Sequence, residues 1–219
     1  MISVLLPSRG RPDALLATMA GLLGLAADPA DVEILIAADP DDAPTLALAA
    51  DGSLPVQARL WVAPERFGYK RICDYYNVLA ALAAGEWLFM WNDDCVMLTT
   101  RWDETIRAEA PGVLWPAADY ATNHNTFPIW PATWTRHLGH VSLDQSSDMW
   151  LHDVAAMAGV PSRRIPVSLH HEHRCGDATG NDRDAVADVI TYHAPAMQLA
   201  RQRDAARLAE FLTGRAAPR

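Results

Sequence analysis

The chain has 219 residues, half of them hydrophobic, which fits one domain of ordinary size with a substantial core. Its formal net charge of −9 makes a nucleic-acid partner or acceptor unexpected, although a local basic pocket for phosphates remains compatible with it. The three scattered cysteines form no disulfide framework, which favours a reducing, cytoplasmic location, and no apolar stretch reaches the length of a membrane span.

The first predicted unit is a strand, a loop and a helix. Residues 2–6 have the composition of a short buried strand, and a loop with Arg9 and Arg11 follows. The apolar spacing of the next segment predicts a helix, for which Asp13 is the candidate N-cap. A small loop at a helix N-terminus suits a phosphate or nucleotide ligand, although solvated loop charge explains the two arginines equally well.

A second unit repeats this order. Residues 32–38 predict a strand that ends at Asp39, residues 43–50 a short helix, and residues 57–62 a third strand. Two strand–helix units followed by a strand indicate a parallel, doubly wound sheet. Because parallel strands end at one edge, Asp39 is expected beside the loop that follows the first strand.

A helix then leads into the central strand. Residues 65–70 predict a loop with Gly68 as its flexible point, and residues 71–84 predict a helix with Gly85 as its C-cap. Asn77 lies inside this helix, where intrinsic propensity favours it little. A tolerated polar residue on a partly exposed face is the simplest explanation for Asn77.

The whole chain is organised around the sequence WLFMWNDDC at residues 87–95. An unbroken apolar run closed by polar residues predicts a strand buried on both faces of a parallel sheet. Asp93 and Asp94 would then lie at its carboxyl end, where ligands of such sheets bind. Adjacent carboxylates need a neighbouring positive charge, and Mg²⁺ or Mn²⁺ prefers oxygen ligands of this kind. A polar turn that merely ends the strand is the alternative.

The second half has weaker patterns. Residues 102–110 predict a helix, and residues 111–134, rich in proline and tryptophan, suit either a substrate pocket or irregular packing over the sheet edge. Residues 144–159 predict a helix capped by Ser146 or Ser147, with Asp148 in the first turn, where an acid also complements the helix dipole.

A histidine cluster follows the last predicted strand, residues 165–169. Three histidines and a glutamate occupy residues 170–173, which favours metal binding more than a lone pair of histidines would. His171 and His173 would share one face if the strand continued. Residues 194–212 predict a helix that packs across the domain or against a partner, for which a second copy of the chain is one candidate.

Three segments resemble family 2 glycosyltransferases, nucleotide-sugar enzymes of the GT-A fold: ISVLLPSRGRP, EILIAADPDD and YYNVLAALAAGEWLFMWNDDC. The resemblance covers roughly the first half of the chain. It implies an α/β, Rossmann-like GT-A domain with a central, mostly parallel sheet flanked by helices. Residues 1–110 would be the nucleotide-binding half, residues 111–193 the acceptor and metal half, and residues 194–219 the C-terminal helix.

The resemblance also implies roles for individual residues. Asp39 matches the acid that contacts base or ribose, Asn77 matches a helix asparagine, and residues 92–94 match the motif Asp-x-Asp. Because Asn92 replaces the first acid of that motif, Asp94 is expected to bind Mn²⁺ or Mg²⁺, with Asp93 near the sugar or ribose. The residues expected at the UDP- or GDP-linked donor are Pro7, Ser8, Arg9, Arg11, Asp39, Lys70, Asn77, Asn92 and Asp93.

The remaining implied roles fall in the second half. His171 or His173 would complete the metal site, and Asp148, with Asp144 as its rival, would take the proton of the acceptor hydroxyl. A sugar nucleotidyltransferase fits the sequence less well, because the first loop of such enzymes is usually longer and richer in glycine. The chain could also be a metal-dependent hydrolase built on the histidine cluster, or a nucleotide-binding protein without catalytic activity.

Overall fold

A computed structural model describes residues 1–118, 126–172 and 191–214 of the chain. Eight strands form one sheet in the order β3-β2-β1-β4-β7-β6-β8-β5. The strands are β1 (Ile2–Pro7), β2 (Val32–Ala38), β3 (Ala58–Val62), β4 (Trp87–Met90), β5 (Cys95–Met97), β6 (Val113–Ala118), β7 (Ile129–Pro131) and β8 (Ser162–His171). Strands β3, β2, β1 and β4 are parallel to one another, as predicted. Strand β6 is also parallel to β8, whereas β7 and β5 run antiparallel to their neighbours.

Helices cover the sheet on both faces. They are α1 (Pro12–Leu25), α2 (Ala43–Ala50), α3 (Ile72–Leu82), α4 (Trp102–Arg107), α5 (Ala132–Leu138), α6 (Ser147–Met157) and α7 (Pro195–Thr213). Val4 and Leu6 of β1 belong to a buried cluster with α1, α2 and α4, whereas Leu5 belongs to one with α3, α5, α6 and α7. This alternation explains why the first strands are apolar throughout, since each face contacts a helical layer. Among the described residues, no helix has the length and apolar composition needed to cross a membrane.

Two predicted helix caps are wrong. Asp13 lies within the first turn of α1, whose N-cap is Arg11, and Pro12 begins the helix because its missing N–H needs no partner there. Helix α3 ends with Ala83 as its C-cap, before Gly85. Glycine is required at position 85 because an added Cβ would lie 2.5 Å from Ser3 Oγ, the atom to which the Gly85 amide donates a 2.8 Å hydrogen bond.

The region predicted to be irregular contains regular structure. Strands β6 and β7 and helix α5 lie within residues 113–138. Pro116 lies in β6 between Trp115 and Ala117, where the register with β8 shifts, and β7 has only three residues. Such short or interrupted strands show no clear alternation in sequence. The strand predicted from the apolar run at residues 87–91 is confirmed as β4, which ends at Met90, and the polar residues before Cys95 form a turn.

Candidate active site

The carboxyl ends of three neighbouring parallel strands meet at one edge of the sheet. Ser8 follows β1, Asp39 follows β2, and Asp93 lies in the turn after β4. Ser8 Oγ donates a 2.7 Å hydrogen bond to Asp93 Oδ2, which joins the ends of β1 and β4. Arg9 Nη1 donates a 2.9 Å hydrogen bond to Asp39 Oδ2, which joins the ends of β1 and β2. The parallel strand order thus brings together residues far apart in sequence.

Arg11 lies between the two adjacent acids. Its Nη2 is 2.5 Å from Asp93 Oδ1, and its Nη1 is 3.4 Å from Asp94 Oδ2. Asp93 is only 2% exposed, and this burial raises its pKa to about 6 even though Arg11 and the Ser8 hydroxyl favour the charged form. The positive charge that the acidic pair requires is therefore supplied, at least in part, by the chain itself.

Asp94 also faces the end of β8. Its Oδ1 is 3.2 Å from His171 Nε2, and its backbone oxygen accepts a 2.8 Å hydrogen bond from the Glu172 amide. Burial acts to raise the pKa of Asp94, but the hydrogen bond with His171 and the nearby charge of Arg11 together outweigh it, so the net shift is downward. These contacts therefore favour the charged form of Asp94.

The residues around Asp94 fit the expected cation. A carboxylate oxygen of Asp94, a ring nitrogen of His171 and Cys95 Sγ all lie within 4.8 Å of one another. A carboxylate oxygen and an imidazole nitrogen suit Mn²⁺, and phosphate oxygens commonly complete such sites. His173, the other predicted histidine ligand, lies outside the described residues.

Asp39 is almost fully buried and accepts three hydrogen bonds. Its Oδ1 accepts from the Phe67 amide at 2.8 Å and from the Tyr75 hydroxyl, and its Oδ2 accepts from Arg9. Burial and this bond to Asp39 raise the pKa of Tyr75 well above its usual value. Arg9 also pairs with the exposed carboxylate of Asp41, at 2.6 and 2.9 Å.

An aromatic cluster beside Asp39 was missed from the sequence. The Phe67 ring lies 5.2 Å from Tyr75 and 6.1 Å from Trp61, measured between centroids. The sequence signal is the pair of aromatic residues in the loop ERFGYK, at residues 65–70. Gly68 has a φ of 65°, in the left-handed region that favours glycine, so it sets the turn that places the Phe67 amide on Asp39.

The basic residues after this loop differ in their contacts. Lys70 is exposed within a short 3₁₀ turn at Tyr69–Arg71. Arg71 forms ion pairs with Glu65 at 2.7 Å and Asp74 at 2.6 Å, and its guanidinium lies 3.9 Å from the centre of the Phe67 ring. Arg71 therefore packs against the aromatic cluster, whereas the exposed Lys70 is accessible to a ligand.

Asn77 fixes the loop before α6. Its Oδ1 accepts hydrogen bonds from the amides of Val141 at 2.7 Å and Ser142 at 3.1 Å, and its Nδ2 donates to the Ser142 oxygen at 2.8 Å. These contacts explain the polar residue inside α3, because they tie the helix to the segment that leads to Asp144. A donor-binding role for Asn77 stays a prediction.

The two candidate bases have different surroundings. Asp144 is buried, and its Oδ1 accepts a 2.9 Å hydrogen bond from the Ser146 amide at the start of α6. Asp148 is half-buried in the first turn of α6. After burial, the charge of Asp148 is the largest contribution to the raised pKa of Tyr76, whose hydroxyl donates a 3.0 Å hydrogen bond to Asn92 Oδ1. Asp148 therefore lies near Tyr76, whose hydroxyl contacts the turn after β4.

Comparisons with solved structures identify the fold. S. aureus TarS, residues 1–349, matches with a TM-score of 0.61 at 12% identity, over 98% of this chain and 72% of that one. Its complex with UDP matches with a TM-score of 0.59 at 12% identity, over 79% of this chain and 58% of that one. Its complex with UDP-GlcNAc matches with a TM-score of 0.60 at 13% identity, over 96% and 71%.

The chain has the GT-A fold. At this level of identity the likeness extends to the fold alone, and the chain spans under three fifths of the length of TarS in the UDP complex. No protein-family model matches the sequence, and no curated protein sequence matches it either. The edge formed by Ser8, Asp39 and the acidic pair is the carboxyl edge of this GT-A sheet, where ligands of open α/β sheets bind.

Proposed function

We propose that the chain is a glycosyltransferase that moves a sugar from a nucleotide-diphosphate donor to an acceptor hydroxyl, with a divalent cation. The observation that carries this proposal is the meeting of Ser8, Asp39, Asp93 and Asp94 at the carboxyl edge of a GT-A sheet. The complexes of S. aureus TarS with UDP and UDP-GlcNAc support a nucleotide-sugar donor.

The nucleotide would bind at the ends of β2 and β3. The half-buried rings of Trp61 and Phe67 would flank the base, with Arg71 over one face of Phe67. Asp39 lies beside them and would accept a hydrogen bond from the base or ribose. Arg9 could exchange Asp41, its exposed partner, for a phosphate at little cost, because exposed pairs contribute little to stability, while it keeps its bond to the buried Asp39.

The diphosphate would lie between the loop after β1 and the acidic pair. The amide groups at the start of α1 favour a negative charge there, and Arg11 already occupies this position. Asp94 and His171 would hold the cation, which when bound offsets the charge that grows on the leaving diphosphate. Asp93, held by Ser8 and Arg11, would remain beside the sugar or ribose.

The acceptor hydroxyl needs a base because its own pKa is high. Asp148 is the better candidate, because it is half-buried and its charge acts on Tyr76. The Tyr76 hydroxyl in turn donates a hydrogen bond to Asn92 at the end of β4. The Asp144 carboxylate is buried and accepts a hydrogen bond from the Ser146 amide, so it stabilises the start of α6. In an inverting reaction Asp148 would receive the hydroxyl proton as the new glycosidic bond forms.

A donor screen tests this function. The protein is incubated with a panel of UDP- and GDP-sugars and Mn²⁺, and released nucleoside diphosphate is measured with and without Asp94→Ala. Release that depends on Asp94 supports the proposal. Consumption of a nucleoside triphosphate with a sugar phosphate would instead indicate a nucleotidyltransferase, and nucleotide binding without turnover of any donor would indicate a binding protein.

A further inference from the structure

A cysteine and a histidine face each other across two strands beside Asp94. Cys95 begins β5 and His171 ends β8, and the two are direct partners in the antiparallel register. Partners of this kind project to the same face of a sheet, with Cβ atoms about 4.5–5.5 Å apart. Asp94 Oδ1 lies 3.2 Å from His171 Nε2 and 3.9 Å from Cys95 Sγ. In the part of the chain that the structure describes, this is the one group of three metal-ligating side chains.

The spacing matches tetrahedral coordination by a small ion. Zinc bonds of about 2.3 Å to sulfur and about 2.0–2.2 Å to nitrogen and oxygen place neighbouring ligand atoms roughly 3.4–3.6 Å apart. The two measured separations, 3.2 and 3.9 Å, lie on either side of this range. The third pair, Cys95 Sγ and a ring nitrogen of His171, lies within 4.8 Å.

The backbone at these ligands is already fixed. Cys95 donates its amide to Asn92 at 3.2 Å and accepts a hydrogen bond on its carbonyl from the Thr18 hydroxyl. The ring of Phe127 packs edge-on against His171 with centroids 5.0 Å apart. Because the ligands are held before an ion arrives, binding has a small cost in conformational entropy.

A bound dication would favour a thiolate as its third ligand. Arg11 contacts Asp94 through Oδ2 and is balanced by Asp93, so Oδ1 is the oxygen turned toward His171. A dication bound by Asp94 alone would leave one uncompensated positive charge in this buried site. Cys95, 1% exposed, removes that charge when its proton leaves to solvent as the sulfur–metal bond forms.

We infer that Asp94, Cys95 and His171 form a three-ligand site for a thiophilic divalent cation, Zn²⁺ or Co²⁺, which binds without any nucleotide. Thiolate selects such ions over Mg²⁺. Three protein ligands with one open position also leave room for a phosphate oxygen. The inference concerns an ion held by the protein alone, so it does not depend on the proposed transfer reaction.

Cobalt provides the test, because a thiolate bound to Co²⁺ gives a charge-transfer absorption in the near ultraviolet. The protein carries Cys73→Ser and Cys175→Ser, so that Cys95 is its one thiol, and is freed of metal before titration without nucleotide. We expect one equivalent of Co²⁺ to produce the band and Zn²⁺ to abolish it. His171→Ala should weaken binding by more than the roughly 10–100-fold that loss of an outer partner costs.

His170→Ala is the matched control. His170 is adjacent on β8 and pairs with Val96, so its side chain projects to the opposite face and cobalt affinity should stay unchanged. Cobalt binding without the band, or no binding at one equivalent, would overturn the inference, and neither result requires a Cys95 variant to fold. Release of nucleoside diphosphate is measured on the same protein. The band without turnover refutes only the proposed function, and turnover without the band refutes only the thiolate site.

Discussion

Replacing Asp39 separates nucleotide recognition from folding. Asp39→Ala removes an acceptor that is 1% exposed and holds the Tyr75 hydroxyl and the Phe67 amide. Each buried donor left without a partner costs about 1–3 kcal/mol, so the free energy of unfolding should fall by about 2–6 kcal/mol. Asp39→Asn keeps one oxygen for these two donors but removes the charge and the acceptor of Arg9, so its free energy of unfolding should fall by less than that of Asp39→Ala.

Nucleotide affinity is the decisive measurement. A hydrogen bond to a charged acceptor is worth about 1.5–3 kcal/mol, so Asp39→Asn should weaken UDP or GDP binding roughly 10- to 150-fold in calorimetry. Urea unfolding of the same samples reports stability. Asp41→Asn is the matched control, because Asp41 is the exposed partner of Arg9 and should affect neither measurement strongly. A folded Asp39→Asn variant with unchanged affinity would refute the assignment of this edge to the nucleotide.

Four further changes test three acidic residues and His171. Asp94→Ala should remove Mn²⁺-dependent nucleotide binding and turnover. His171→Ala should reduce both only partly, because the neutral imidazole adds a ligand but no charge. Full turnover in excess EDTA would contradict both expectations. Asp148→Asn should abolish nucleoside diphosphate release with affinity intact, and a loss of stability alone would assign Asp148 to the helix dipole. Asp103 has a lowered pKa, because the amides of Ala27 and Asp28 and the Arg107 charge outweigh burial, which acts to raise it. The stabilisation that Asp103 provides is therefore complete above its ordinary pKa of 3.8 and is lost as the pH falls through its pKa in the folded protein. In Asp103→Asn, the free energy of unfolding measured in urea should therefore change less with pH in the acid range.

The first half of the fold follows from local patterns. Predicted strands at residues 2–6 and 32–38 and the predicted helix at residues 43–50 correspond to β1, β2 and α2. Each is an apolar run bounded by Pro or Asp, and both faces of these strands are covered by helices. Parallel order then brings the ends of β1, β2 and β4 to one edge, so the neighbourhood of Ser8, Asp39 and Asp93 could be predicted before any distance was known.

The partners within that neighbourhood could not be predicted in the same way. The sequence indicates that a positive charge lies beside Asp93 and Asp94, but a bound cation and Arg11 satisfy that requirement equally well. Whether Arg11 reaches the acidic pair depends on the direction of the loop after β1. Pro12 and the start of α1 set that direction. Similarly, Asn77 had no evident partner because the segment it fixes lies far along the chain.

The histidine cluster shows why register limits such predictions. Four consecutive residues, 170–173, offer three imidazoles, and strand alternation alone divides them between two faces. The pairing of β5 with β8 decides which one meets Asp94, because it sets His171 opposite Cys95. A slip of one residue would place His170 there and turn His171 away. The ligand set near Asp94 is thus a property of strand pairing, and Cys95 enters it only because β5 begins at the residue after the acidic pair.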